Sequence, residues 1–306
     1  MSVLVCVEGR DNTKLMQNLR ISLPGVEIHE WPNCANLDKV QFVIAWNAPE
    51  SIWDRLPNLQ VVQSYGAGVD GIALQRIPEH VEVTRIVDTD LADDMAEYIL
   101  GHVMAHKLRI REYAHKQYQT VWKPKRAFKH NHIGILGLGE LGQVAARKLK
   151  ANDFSVSAWS RTKKNISGIN CFAGIDELQT FLFELDYLVC LLPLTGETTG
   201  ILNRKVFEQL PNHCILINVA RGEHLIEEDL LWALDNQKLA GATLDVFNHE
   251  PLESGHAFWQ HPLITLTPHC AAVTSMSSVC EQIVYNITAC INKNALMNTV
   301  DKHLGY

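Results

Sequence analysis

The stretch His132-Ile133-Gly134-Ile135-Leu136-Gly137-Leu138-Gly139-Glu140-Leu141-Gly142 decides the fold. An apolar, strand-type run from His132 to Leu136 leads straight into G-x-G-x-x-G, and a segment of helical character, Glu140 to Lys150, follows at once. Each glycine has its own reason in such a strand-turn-helix unit. Gly137 makes the tight turn, Gly139 lets the backbone approach a pyrophosphate, and Gly142 allows close packing of helix on strand. In this context the pattern reads as a dinucleotide-binding turn, with Leu138, Glu140 and Leu141 completing it, and not as a chance glycine-rich loop.

The next strand, Phe154 to Trp159, ends in Ser160-Arg161-Thr162-Lys163-Lys164. An NAD site places a carboxylate about 20 residues past the glycines to bind the ribose 2′-hydroxyl. Ser160 stands 18 positions past Gly142, and no acid is there. A guanidinium such as Arg161 pairs bidentately with a 2′-phosphate, and the hydroxyls of Ser160 and Thr162 can donate to its oxygens. NADP(H) is therefore the expected cofactor.

Outward from this unit the chain alternates strand-type and helical segments. Downstream come a helix at Ile175 to Glu184, strands at Tyr187 to Leu192 and Cys214 to Val219, a helix at Glu227 to Asp235, strands at Ala240 to Val246 and Leu263 to Thr267, and a last helix at Thr274 to Ile291. Upstream, strand-type runs at Val3 to Val7, Val26 to Glu30, Phe42 to Trp46, Val61 to Ser64 and Val81 to Val87 form an earlier series, with a helix at Thr13 to Ile21. Alternation of this kind is the mark of a parallel sheet covered by helices. Between Leu91 and Gln117 the spacing of Met95, Ile99, Val103 and Leu108 predicts one long helix, opened by Thr89 or Asp90, and the polar stretch Gln119 to His130 reads as a loop crossing between domains.

The 306 residues favour two domains. With 47% hydrophobic and 20% charged residues, the composition is that of an ordinary soluble globular protein, and disordered or fibrous architectures drop out. The formal charge of −7 is spread without long runs, and Lys123-Pro124-Lys125-Arg126 is short enough to be a solvated loop, so nucleic acid is not an expected partner. No apolar run reaches the roughly 20 residues of a membrane helix. Met1 to Val7 reads as a first strand and not a secretory signal, which places the expected location in the cytoplasm. Eight cysteines without a Cys-x-x-Cys pair read as buried free thiols, and the even spacing of Cys270, Cys280 and Cys290 does not converge on a metal.

Three polar residues stand just past strand-type runs, where ligands of open α/β sheets gather: Arg221 in Asn218-Val219-Ala220-Arg221-Gly222, Glu250 in His249-Glu250-Pro251-Leu252, and His269 in Pro268-His269-Cys270. Together they supply what carbonyl reduction needs. Arg221 can fork onto a carboxylate or polarise a ketone, His269 can donate a proton, and Glu250 can favour the protonated ring and fix its orientation.

These residues, in this order, resemble the D-isomer-specific 2-hydroxyacid dehydrogenase family. The resemblance covers nearly the whole chain, through Gly66-Ala67-Gly68-Val69-Asp70, the fingerprint, Leu192-Pro193-Leu194-Thr195, Ala220-Arg221-Gly222, Leu244-Asp245-Val246-Phe247, His249-Glu250-Pro251-Leu252 and Pro268-His269. Within the family, Trp159-Ser160-Arg161-Thr162, Val246-Phe247-Asn248 and Leu304-Gly305-Tyr306 are similar to the branch that reduces glyoxylate and hydroxypyruvate.

The resemblance implies an α/β, two-domain fold in which a Rossmann-type dinucleotide-binding domain, 99–271, is inserted into a flavodoxin-like substrate domain, 1–98 and 272–306, with the active site in the cleft. It implies Arg221, Glu250 and His269 as the catalytic set, and Trp46, Ala67, Gly68 and Arg221 around the substrate. Leu192, Pro193, Thr198, Val219, Ala220, Arg221, Asp245 and His269 would join the fingerprint and Ser160 to Thr162 around the cofactor, with Asp245 on the nicotinamide carboxamide. It further implies a homodimer through helices around Glu97 to Gln117, and NADPH-dependent reduction of small 2-oxo acids. Trp122-Lys123-Pro124 matches the family only loosely, so Trp122 is given no substrate role. Formate dehydrogenases share the architecture but pair the histidine with glutamine, against which Glu250 stands. A dinucleotide-sensing, corepressor-like binding protein that keeps the triad is the alternative from another class.

Overall fold

The computed structural model describes residues 1–305; Tyr306 of the Leu304-Gly305-Tyr306 stretch lies outside the described residues. The chain forms two compact units, one made of residues 1–89 and the chain from Thr274 onward, the other of Asp90–Val273.

The first unit opens with β1 (Ser2–Val7), α1 (Thr13–Ser22), β2 (Glu27–Glu30), β3 (Val40–Trp46), β4 (Val61–Ser64) and β5 (Glu82–Thr84). All five strands are parallel, in the order β2-β1-β3-β4-β5. Every residue of β1 is buried, as expected of a strand covered on both faces and written as a continuous apolar run. The core lies in two layers, one holding Val3, Val5, Phe42 and Ile44, the other Leu4, Val43, Ala45 and Val62.

The second unit runs through α2 (Thr89–Lys107), α3 (Ile110–Tyr118), β6 (His132–Leu136), α4 (Glu140–Ala151), β7 (Ser155–Ser160), β8 (Asn170–Ala173), α5 (Gly174–Leu182), β9 (Tyr187–Cys190), α6 (Arg204–Gln209), β10 (Ile215–Asn218), α7 (Glu227–Asp235), β11 (Gly241–Leu244) and β12 (Ile264–Leu266). Its seven parallel strands lie in the order β12-β11-β10-β9-β6-β7-β8. Strand order reverses at β6, so the turn after β6 sits at the switch point where open α/β sheets bind ligands. The chain then returns to the first unit as α8 (Met276–Asn292), which packs on α1.

Several expectations are corrected. The long helix expected over Leu91 to Gln117 is two helices, because Arg109 adopts a left-handed backbone at φ 60°. The Arg109 guanidinium stacks 3.5 Å from the Phe128 ring centroid and donates to the Arg126 carbonyl, while the Phe128 N–H donates to the Lys107 carbonyl. These contacts with a segment nearly twenty residues away end α2 without a proline or glycine. The 119–130 segment lies wholly inside the second unit and is not a crossing between units. The change of unit falls at Thr89/Asp90 and Val273/Thr274, and not at 98/99 and 271/272, since Met95, Ala96, Ile99 and Val103 of α2 are all buried in the second unit's core. The strand at 81–87 is only Glu82–Thr84, and the short β8 and α6 were not expected. All eight cysteines are free, but only Cys6, Cys190, Cys214 and Cys280 are buried; Cys270, in the turn after β12, is exposed.

Candidate active site

The glycine turn is built by close backbone approach. Gly137 sits at φ 101°, and a Cβ there would stand 2.6 Å from the Leu191 carbonyl oxygen. At Gly142 a Cβ would stand 2.0 Å from the Gly137 carbonyl oxygen, so helix α4 can lie on the turn only without a side chain. Gly139 differs: a Cβ there meets nothing within 4 Å, which leaves its face open in front of the first amides of α4. This cradle fits a pyrophosphate. Leu138 turns its side chain into the core and offers only backbone, its carbonyl accepting 2.7 Å from Lys164 Nζ. Glu140 is exposed and Leu141 half-buried in the first turn of α4.

At the end of β7, the buried Ser160 donates to the Thr162 carbonyl at 2.9 Å and pins the turn, leaving Arg161 and Thr162 exposed. Lys163 pairs with Glu177 at 3.0 Å. The charge at this strand end is positive, as the sequence indicates. After β9, the Thr198 hydroxyl donates to the Pro193 carbonyl at 2.6 Å, and the Thr195 N–H donates to that hydroxyl at 2.9 Å, so the loop is tied to itself beside the buried Leu192.

Arg221, Glu250 and His269 come from the ends of β10, β11 and β12. Buried Asn218, the last residue of β10, donates to the Arg221 carbonyl at 2.9 Å and accepts from the Ala220 N–H at 3.3 Å. Gly222 then presses on the chain after β11, where a Cβ would lie 2.0 Å from the Phe247 carbonyl carbon. That approach sets Arg221 beside the loop carrying Glu250. His224 is fully buried; its Nδ1 faces the Arg221 N–H at 3.2 Å and its Nε2 the Pro193 carbonyl at 3.3 Å. Burial chiefly holds this ring below the ordinary imidazole range, so it is neutral, accepting at Nδ1 and donating at Nε2. It buttresses Arg221 from behind.

Glu250 and His269 form a pair. One carboxylate oxygen accepts the Phe247 N–H at 3.0 Å, and the other lies 2.7 Å from His269 Nδ1. Burial pushes the Glu250 carboxyl up, but the hydrogen bonds from His269 and Phe247, with the charges of His269 and Arg221, outweigh it and hold the group below the usual carboxylate range. Glu250 is thus ionised at neutral pH and orients the ring so that Nε2 is left for chemistry. His269 itself has a left-handed backbone at φ 51°, uncommon for a side chain with a Cβ and frequent at functional positions.

Asp245 explains how that conformation is held. It is 1% exposed and both its oxygens serve the turn bearing His269. Oδ1 accepts from the Thr267 hydroxyl at 2.6 Å and the Cys270 N–H at 2.9 Å, and Oδ2 accepts from the Ala271 N–H at 2.9 Å. The Asp245 carbonyl accepts the His269 N–H at 2.8 Å, and Tyr98 of α2 bonds to the Thr267 hydroxyl. Tyr98, Thr267 and His224 are site residues that the sequence pattern does not mark, whereas Lys164 belongs to the basic stretch after β7. Tyr98 lies 169 positions from Thr267 and carries no local signal, whereas Thr267, two positions before His269, stood within reach of inspection.

In the first unit, Trp46 ends β3 and its ring lies against the loop after β4, where a Cβ on Gly66 would meet it at 3.3 Å and one on Gly71 at 2.9 Å. Ser64 braces that loop, donating to the Gly68 carbonyl at 2.6 Å and accepting the Gly66 N–H at 3.2 Å. The N–H groups of Ala67 and Gly68 donate to no group among the described residues. Adjacent amides of this kind suit a carboxylate.

Residues 100–271 match the family model of the D-isomer specific 2-hydroxyacid dehydrogenase, NAD binding domain. The chain is 39% identical over 299 residues, 95% of each chain, to glyoxylate/hydroxypyruvate reductase A of Yersinia enterocolitica. It superposes with a TM-score of 0.91 and 32% identity, over 100% of this chain and 99% of the other, on a D-isomer specific 2-hydroxyacid dehydrogenase from Xanthobacter autotrophicus solved with NADPH and MES. A Sinorhizobium meliloti NADPH-dependent glyoxylate/hydroxypyruvate reductase, solved with NADP and sulfate, gives 0.89 and 33% over the same shares. With matches of this extent and the Arg221, Glu250 and His269 geometry in place, the chain belongs to the D-isomer specific 2-hydroxyacid dehydrogenases.

Proposed function

We propose that the protein is an NADPH-dependent reductase of small 2-oxo acids, converting glyoxylate to glycolate and hydroxypyruvate to D-glycerate. The observation that carries this reading is the 2.7 Å pair between Glu250 and His269 Nδ1, set beside Arg221 at the ends of three neighbouring strands. Gly137, Gly139 and Gly142 would hold the pyrophosphate, and Ser160, Arg161 and Thr162 a 2′-phosphate. When bound, the reduced nicotinamide supplies the hydride that reaches the carbonyl carbon. Arg221 binds the substrate's carboxylate and polarises its carbonyl, with the Ala67 and Gly68 amides as further carboxylate donors and Trp46 limiting the size of the substrate. His269 gives its Nε2 proton to the carbonyl oxygen as the alcohol forms, and Glu250 stabilises the imidazolium before transfer. Asp245 would hold the nicotinamide carboxamide, acting also through the turn it anchors, and Thr198 would line the cofactor groove.

The proposal includes a homodimer in a reducing compartment. The apolar residues Leu108, Ile110, Tyr118, Val121 and Trp122, all exposed around α3, fit an interface there, and sedimentation showing a monomer would reject it. The function is tested by a panel of glyoxylate, hydroxypyruvate, pyruvate and bulkier 2-oxo acids, run with NADPH and NADH in parallel. Glyoxylate and hydroxypyruvate turnover with a clear NADPH preference is expected. NADPH binding without turnover of any 2-oxo acid would support a nucleotide-sensing protein instead.

A further inference from the structure

The N-terminal strand ends of the second unit's sheet carry a cluster that the reaction does not use. His130, Asp186 and His213 each present a ligand-type atom, and the three atoms lie within 4.8 Å of one another. They stand at the entrances of three neighbouring strands: His130 two residues before β6, Asp186 immediately before β9 and His213 two residues before β10. In a parallel sheet these N-terminal strand ends face away from the C-terminal ends that carry the glycine turn and His269.

We propose that His130, Asp186 and His213 bind a divalent transition-metal ion of borderline softness, zinc being the reference case. Two imidazoles and a carboxylate are the donor set such ions take, with water completing the tetrahedron. His213 Nε2 is already 2.8 Å from Asp186 Oδ1, a hydrogen bond that is exchanged for a shared ion by modest side-chain rotation. Asp186 is held from behind, its Oδ2 accepting the N–H groups of Asn131 at 2.6 Å and His132 at 2.8 Å, the kind of support that orients metal-binding carboxylates. The His130 ring stacks on Phe128 at 4.7 Å and meets the edge of Tyr187, and its buried Nδ1 has no hydrogen-bond partner among the described residues. The Tyr187 hydroxyl, buried at the same place, has none either.

Asp186 and His130 are in their ligating forms near neutral pH. Burial raises the Asp186 carboxyl, but its hydrogen bonds from His132, Asn131 and His213 bring it below the usual range. Burial keeps the His130 ring below the ordinary imidazole range despite Asp186, with the charges of His213, Arg109 and Lys107 acting in the same direction as burial. Arg109 and Lys107 nearby, and the exposure of His213, make the site an exchangeable one. An ion there ties the starts of β6, β9 and β10 together, so its effect falls on the stability of this unit and not on chemistry at its other end.

The test uses the full-length enzyme freed of metal with a chelator. Isothermal titration with zinc alone is expected to show one equivalent per chain, weakened by at least about tenfold in His213→Ala and in His130→Gln. Zinc raises the Tm of the wild type and not of His213→Ala. Cobalt added instead gives tetrahedral d–d bands without a thiolate charge-transfer band, which separates this site from one built on Cys270 or another cysteine. No binding, equal affinity in both variants, or a thiolate band would each overturn the proposal.

Discussion

Replacing Glu250 with glutamine keeps the side-chain length and leaves an oxygen for the Phe247 N–H, now 3.0 Å away, but removes the charge that lies 2.7 Å from His269 Nδ1. A hydrogen bond between charged partners contributes about 1.5–3 kcal/mol. The His269 and Glu250 side chains are 47% and 35% exposed, so solvent screening lowers the useful figure to about 1–1.5 kcal/mol. At about 1.4 kcal/mol per factor of ten in rate this corresponds to an effect of about tenfold. Reduction consumes the proton of the imidazolium, which the Glu250 carboxylate orients and stabilises, so without that charge the proton is delivered more slowly. The kcat of glyoxylate reduction therefore falls by about tenfold in Glu250→Gln. Initial rates with both substrates saturating read this directly. Equal kcat for wild type and variant would refute the assignment of Glu250 as the group that holds His269.

Other outcomes follow from the same geometry. Gly142→Ala sets a Cβ 2.0 Å from the Gly137 carbonyl oxygen, where neither backbone can yield; overpacking of about 1–3 kcal/mol is expected, seen as a Tm lowered by several degrees together with weakened NADPH binding. Tyr98→Phe removes the bond to the Thr267 hydroxyl that helps anchor the turn of His269, a loss of about 1 kcal/mol, so kcat falls several-fold while the NADPH dissociation constant, read by fluorescence titration, stays put. Arg161→Ala raises the KM for NADPH by about tenfold and leaves that for NADH unchanged, because only the former carries a 2′-phosphate.

What the residues alone disclosed divides by the range of the interactions involved. The glycine turn was readable because its glycines follow one another through one strand end, one turn and the first turn of α4, although the space allowed at Gly137 is set by the Leu191 carbonyl, 54 positions on. Arg221, Glu250 and His269 were readable as residue types past strand ends, but their assembly rests on Gly222 lying against Phe247, a contact between segments 25 positions apart that no local pattern marks. The break at Arg109 was invisible for the same reason, since Phe128 and Arg126 hold it from a distant loop. Asp245 was read as a cofactor ligand, yet its three accepted hydrogen bonds show a further task, fixing the turn of His269, that only the folded loop displays. The edge strand β8 escaped because Asn170–Ala173 is short and only partly buried, and α6 because a six-residue helix capped by Asn203 shows no full amphipathic period.

Delivery of the proton by His269 in carbonyl reduction is tested by turnover of glyoxylate with saturating NADPH in His269→Ala beside the wild type. A fall in kcat of about 10²–10⁴-fold is expected, with NADPH affinity within a few-fold of the wild type; turnover in His269→Ala close to that of the wild type would overturn the assignment of His269 as the acid.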